Sequence, residues 1–367
     1  MAMLIQDIHN GPLSEVFQKA VRGERLTRAD GLTLLNTQDI AALGVIAHQV
    51  RLNQVGNQVY FNNNAHINYS NVCKIRCGLC AFGKDADDPE AYTMTVEQVV
   101  AKAARFAEYG ITELHIVGGV HPQLPFTYYE EILGGIHQKF PQISLKAFTA
   151  AEIHEFTEIT GMSAREVLSR LYQVGLRFLP GGGAENFSQR VRDVICTSKI
   201  SAARWLEIHQ TAHELGIKTN ANMLFGTIET PEELVDHLLA LRDLQDQTGG
   251  FQALIPTAFH PENTQLEHIR PTSGYHYLKV IAVARLILDN FKFIKAYWIT
   301  AGSDVAQIAL NFGANDLDGV VREEKIYHTA GAKTPQMLEQ EDLINLIKET
   351  GQVPVERDTF YNVIHTY

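Results

Sequence analysis

Three cysteines crowd into eight positions, Cys73, Cys77 and Cys80, in the pattern C-x3-C-x2-C, while Cys196 stands alone. Thiolates bind iron well because both partners are soft, and a [4Fe–4S] cluster normally takes four of them. Three close cysteines leave one iron without a protein ligand, and a substrate or cofactor can then bind the metal directly. A structural zinc site usually pairs two C-x2-C hooks or adds closely spaced histidines, and neither pattern is present. A fully ligated electron-carrier cluster would want a fourth suitably placed cysteine. His66 precedes the three cysteines but falls inside an apolar run that reads as a strand, an awkward place for a ligand. Free cysteines are usually buried among apolar neighbours, whereas these lie among Lys74, Arg76 and Gly78. Cys196 reads as a small packing residue.

Holding such a site requires a scaffold, and the chain supplies alternating elements. Its opening segment reads as helices: Thr27 to Asp30 and Asn36 to Asp39 give polar starts before apolar residues at helical spacing, such as Ile40, Leu43, Ile46 and Ala47. Gly56 is expected to end this extension. Short apolar runs follow at 59–67, 113–117, 144–148, 176–179, 218–225, 251–257, 293–299 and 317–321. Between them, Thr95 to Gln98 and Ser163 to Glu166 fit the capping box. Thr230-Pro231 places proline at a first helical position, and Gly110, Gly175 and Gly216 sit where helices should stop. About eight strand–helix repeats predict an α/β protein, a TIM-like (β/α)8 barrel, with an N-terminal helical extension. An open doubly wound sheet would give similar alternation. The barrel is favoured because unusual residues follow the strands, at the face where barrel enzymes carry their chemistry. We divide the chain into a helical extension at 1–57, packed on the barrel, and the barrel with a C-terminal segment at 58–367.

The net charge of −11 and the lack of Lys/Arg runs argue against nucleic acid or an anionic membrane as partner. The stretch MAMLIQDIHNGPLSEVF has no basic segment followed by an apolar one, so it does not read as a signal peptide. No apolar run approaches the ~20 residues needed to span a bilayer. Few cysteines in a long chain argue against a secreted disulfide scaffold, and a cytoplasmic protein is expected.

The cysteine pattern after the first barrel strand resembles the hallmark of the radical S-adenosylmethionine (SAM) superfamily, and Phe82 after Cys80 suits it. Residues 66–73 with Cys80-Ala81-Phe82 are similar to the branch that contains the futalosine-pathway enzymes of menaquinone biosynthesis and deazaflavin synthase. Stretches 118–122, 145–150, 180–185, 248–252, 294–298, 328–332 and 356–359 extend the likeness over nearly the whole chain, helical extension included. The resemblance implies that SAM chelates the open iron, and that one electron from the reduced cluster cleaves it to methionine and a 5′-deoxyadenosyl radical. It further implies addition of that radical to 3-[(1-carboxyvinyl)oxy]benzoate, an aromatic enol-ether carboxylate, with SAM as co-substrate. The rival within the branch is hydrogen abstraction and cyclisation. A reduced flavodoxin or ferredoxin-type protein is the implied electron donor.

Candidate site residues follow. The resemblance places Gly118-Gly119 at the SAM amino group, where small residues also let a backbone approach closely; a tight turn is the alternative. It places Glu185 at the SAM ribose or carboxylate, where a carboxylate accepts from hydroxyls; helix capping is the alternative. Thr149 and Asn220 or Asn222 lie at strand ends and could bind SAM or substrate, or cap helices. Tyr69 and Asn71 could tune the cluster by hydrogen bonds, and Tyr69, His121 and His260 form the candidate catalytic set, since histidine moves protons near neutrality. His328 is a third histidine expected on the active face. Arg322 and Arg285 are possible partners for a substrate carboxylate, although Arg285 lies in a predicted helix and reads as a surface residue.

Overall fold

The structure, a computed structural model, describes residues 11–367. The first ten residues, which begin the stretch read for a signal peptide, lie outside the described residues.

The apolar run at 59–67 is two strands: β1 (Gln58–Asn62) and β2 (Asn64–Ile67) belong to different sheets. The break falls in Asn62-Asn63-Asn64, where Asn63 donates to the carbonyls of Tyr109 and Gly110 instead of joining a ladder. From β2 a parallel sheet runs in chain order through β3 (Glu113–Ile116), β4 (Ser144–Ala147), β5 (Leu176–Leu179), β6 (Lys218–Phe225), β7 (Phe251–Ala258) and β8 (Phe293–Ile294). The eighth place is taken by β9 (Asp316–Gly319). One bridge joins Asp316 to Lys295 beyond β8, and another joins Arg322 beyond β9 to Ala65 of β2. The expected barrel is thus seven laddered strands with a looser eighth. The strand expected at 293–299 is shorter, because the chain turns into the helix Trp298–Ala301 and Trp298 Nε1 donates to the Gly319 carbonyl at 2.9 Å.

The helices begin and end where their local chemistry directs. Thr95 with Gln98, Ser163 with Glu166 and Thr230 with Glu233 form reciprocal capping boxes, and Pro231 opens its helix. Gly216, with φ +78°, follows the helix Ala202–Glu214 in a conformation that strains any side chain.

In the extension, Thr27 and Asp39 cap the helices Arg28–Asn36 and Ile40–Val55. These share one apolar core with the barrel through Leu34, Leu43 and Ile46. Polar ties reinforce the seam, since Lys279 Nζ donates to the carbonyls of Leu35 and Thr37, and Arg242 to that of Leu26. Arg285 corrects our reading. It is fully buried, not on the surface, and its guanidinium binds the Gly313 carbonyl, Asn315 Oδ1 and Gln54 Oε1. A helix apolar on every side is enclosed, and an arginine within it is enclosed too.

A second sheet, absent from the sequence reading, closes the far end. Its order is β11 (Val363–Thr366), β10 (Val353–Arg357), β1, β9, with β1 parallel to both β10 and β9. Arg357 of β10 donates to Asp316 Oδ2 at 2.8 Å, and both side chains are buried.

Candidate active site

The three cysteines occupy the loop that leaves β2 and line a cavity of about 280 Å³ inside the barrel. All four cysteines are free thiols, and Cys77 and Cys196 are buried. Main-chain bonds hold the loop on several sides: Cys73 N to the Lys84 carbonyl, Lys74 N to that of Val120, and Leu79 N to that of Ile195. Asn71 fixes the loop to the following segment, accepting from Tyr92 N at 2.7 Å and donating to the Glu90 carbonyl at 2.9 Å. Burial pushes the Cys77 thiol up to about 12 and also raises Cys80. Cys196 packs with Cys77, Val191 and Ile195 in a small apolar cluster, the packing role expected of it.

Gly118 and Gly119 follow β3 and line the cavity beside this loop. A Cβ on Gly119 would stand 2.2 Å from the Val72 carbonyl oxygen, and one on Gly118 would stand 2.7 Å from the Tyr69 ring. The close approach these glycines permit is therefore first of all that of the cysteine loop itself. Tyr69 lies behind Gly118, outside the cavity lining, with its hydroxyl donating to Glu152 Oε1 at 2.6 Å. The same carboxylate receives Gly118 N and both the N and hydroxyl of Thr149. Thr149 is the N-cap of the helix Ala150–Thr160, so its alternative reading holds while it also lines the cavity.

Glu185 follows β5 at φ +49° and lines the cavity. It does not cap the next helix, which Ser188 caps. Its carboxylate accepts from Lys199 Nζ at 2.5 Å, and Glu185 is buried while Lys199 is partly exposed. Burial alone would raise the Glu185 carboxyl, but Lys199 and Arg192 hold it below the usual range. Lys199 was missed in the sequence because it sits in an irregular segment without any motif. Asn220 and Asn222 both line the cavity, and Asn222 is tied across strands to the Ile255 carbonyl at 2.8 Å.

Of the candidate histidines, only His260 lines the cavity. Its Nε2 lies 3.0 Å from the Thr300 carbonyl, which can only accept, so that nitrogen is the donor. His121 lies outside the lining and accepts from Gln123 N through Nδ1 at 3.1 Å. His328 is engaged at both nitrogens by Glu324 and the Thr334 carbonyl, and the Glu324 bond raises its pKa. Arg322 is turned away, bound to Asn63 Oδ1 at 2.6 Å and stacked on Tyr109.

Below the loops the cavity is charged, which the sequence did not reveal. His66 of β2, His115 of β3 and Lys146 of β4 stand at the same register on adjacent strands and line the cavity. Lys146 Nζ lies 2.6 Å from Glu113 Oε1, and Lys295 is paired with Asp318.

The donor set fits an iron–sulfur cluster. Among the described residues no three Cys, His, Asp or Glu side chains converge on a single-ion position. Three thiols would supply one ligand to each of three irons of a [4Fe–4S] cluster, and the cavity they line could admit the fourth ligand.

The chain belongs to the radical SAM superfamily, whose family model matches residues 67–241. Residues 248–366 match the CofH/MqnC C-terminal region. Over 367 residues, 99% of each chain, the protein is 43% identical to the aminodeoxyfutalosine synthase of Thermus thermophilus. It is 44% identical to that of Streptomyces coelicolor over 364 residues, 96% of this chain and 94% of the relative. The fold is similar to that of methylornithine synthase, with a TM-score of 0.74 at 20% identity, covering 92% of this chain and 97% of the other. The superfamily's cofactors are a [4Fe–4S] cluster and SAM.

Proposed function

We propose that the protein is an aminodeoxyfutalosine synthase, a transferase of menaquinone biosynthesis. It joins the 5′-deoxyadenosyl group of SAM to 3-[(1-carboxyvinyl)oxy]benzoate, and 6-amino-6-deoxyfutalosine, methionine and bicarbonate are the products. The observation that carries this reading is the near full-length identity to two synthases of that name, joined to three free thiols facing one enclosed barrel cavity.

When bound, the reduced cluster supplies the electron that cleaves SAM. The chain's own residues do the rest of the work by position. Cys73, Cys77 and Cys80 hold the cluster at the mouth, and Gly118, Gly119 and Thr149 form the adjoining wall. Glu185 and Asn220, which line the cavity, accept from and donate to the SAM ribose and carboxylate in this reading. His260, which lines the cavity and is held through Nε2 by the Thr300 carbonyl, is the proton-handling side chain in this reading. Tyr69, through Glu152, positions Gly118. The barrel wall keeps the reacting centre from water. A reduced flavodoxin or ferredoxin-type protein is the electron donor in this reading, and the cytoplasm is its compartment. No helix among the described residues is long and apolar enough to cross a membrane.

The test is anaerobic. The cluster is reconstituted and reduced, SAM and the enolpyruvyl-oxybenzoate are added, and products are read by mass spectrometry. An adenosyl-containing adduct that appears with methionine and is absent from Cys77→Ala supports the assignment. Release of 5′-deoxyadenosine alone would transfer it to the hydrogen-abstracting sister reaction.

A further inference from the structure

Buried polar side chains in folded proteins almost always find partners, and an exception calls for a reason. Two such exceptions stand side by side in the cavity. The Nε2 atoms of His66 and His115 are shielded from solvent and have no hydrogen-bond partner, and the rings meet edge to face at 4.7 Å. Lys146 completes the row, its ammonium 2.6 Å from Glu113 and over the Phe178 ring at 5.1 Å. A third shielded atom without a partner, Glu113 Oε2, belongs to the residue two before His115 on the same strand.

The charges in this floor are paired, three cations against three carboxylates. Glu113 is enclosed, which should raise its pKa, yet Lys146, Lys295 and Arg357 together hold it at about 2. His115 is kept neutral by burial first, then by His66 and Lys146. Two neutral imidazoles with unpaired Nε2 atoms next to an ammonium offer N–H donors from which a carboxylate can accept. Glu113 is matched by Lys146, Asp318 by Lys295 and Asp316 by Arg357, and Glu324, which also lines the cavity, is held by His328 and the Ile326 and Tyr327 amides. The depth suits an aryl acid: His115 precedes Gly118 by three residues, roughly 10 Å along a strand.

We propose that His66, His115 and Lys146 form the seat for the ring carboxylate of the substrate, fixing the aromatic ring below the mouth so that its enol-ether end faces the cysteine loop. This rests on the synthase reading above. The seat selects ligands with a carboxylate at the end remote from the alkene and rejects those without one, whose entry would leave the imidazoles unpaired.

The measurement is calorimetric binding to the reconstituted, SAM-loaded, unreduced enzyme. The probes are 3-[(1-carboxyvinyl)oxy]benzoate and its analogue lacking the ring carboxylate. The wild type should prefer the former by about 100-fold, and His115→Leu and His66→Leu should each lower that preference about tenfold or more. His115→Gln, which keeps an N–H donor, should restore part of it. Should the leucine variants fail to fold, Glu113→Gln/Lys146→Met removes both charges with little change of shape, and it too should erase most of the preference. Discrimination by the wild type that survives in all of the folded variants overturns the seat. A wild type that binds neither probe overturns the substrate reading, and the seat with it.

Discussion

A carboxyl group enclosed in protein ordinarily gives up its charge; Glu113 keeps its own because three buried cations surround it. Its folded pKa lies below its unfolded one, so the stabilisation it gives is complete above the unfolded value of about 4.3 and is lost as pH falls towards 2. Urea unfolding between pH 2 and 6 should show that loss, up to about 3 kcal/mol before the cost of burying Lys146, and Glu113→Gln should flatten it. Glu185 depends in the same way on Lys199. Lys199→Met should cost about 3–5 kcal/mol by leaving a buried carboxylate alone, and Glu185→Gln/Lys199→Met should recover most of it. The difference between these two pairs and the cysteines is one of legibility. Cys73, Cys77 and Cys80 announce themselves by spacing along the chain. His66, His115 and Lys146 are each one residue of a short strand, and only the pairing of β2, β3 and β4 brings them level. Lys199 meets Glu185 through tertiary packing alone.

At the level of elements, what holds the cysteine loop matters as much as what it carries. Gly119→Ala would drive a methyl group into the Val72 carbonyl. We expect it to lower iron and sulfide content after reconstitution far more than it lowers thermal stability, because the clash falls on the loop and not on the core. Thr149→Ala should cost about 1 kcal/mol by removing the cap of the helix Ala150–Thr160, as measured by chemical denaturation. It should also loosen Glu152, which holds Gly118. Most elements were readable, because capping boxes and terminal glycines act locally. The misread ones depended on more distant partners. Asn62-Asn63-Asn64 was the available sign that 59–67 is two strands, but an apolar run on both sides concealed it. Strand β8 ends early because Trp298 is drawn to Gly319, a residue the local sequence does not mention.

For the molecule as a whole, the second sheet ties the barrel's floor to its last residues. Arg357→Met would strand Asp316, which is wholly buried, and should cost about 3–5 kcal/mol in chemical denaturation even though neither side chain lines the cavity. The barrel itself could be anticipated from alternation, since each strand pairs with its neighbour in the chain. The second sheet could not, since β1 finds β10 across nearly the full length of the protein, with Gln58 opposite Val353. That pairing also sets a timetable. Contacts between distant segments form late, because the loop between them must first be closed. During synthesis β1 waits with both edges unclaimed until β9 is made, and with one edge still open until β10 follows. Arg357 reaches Asp316 only then, so the charged floor is among the last parts to assemble, after the strands that carry its histidines have already met.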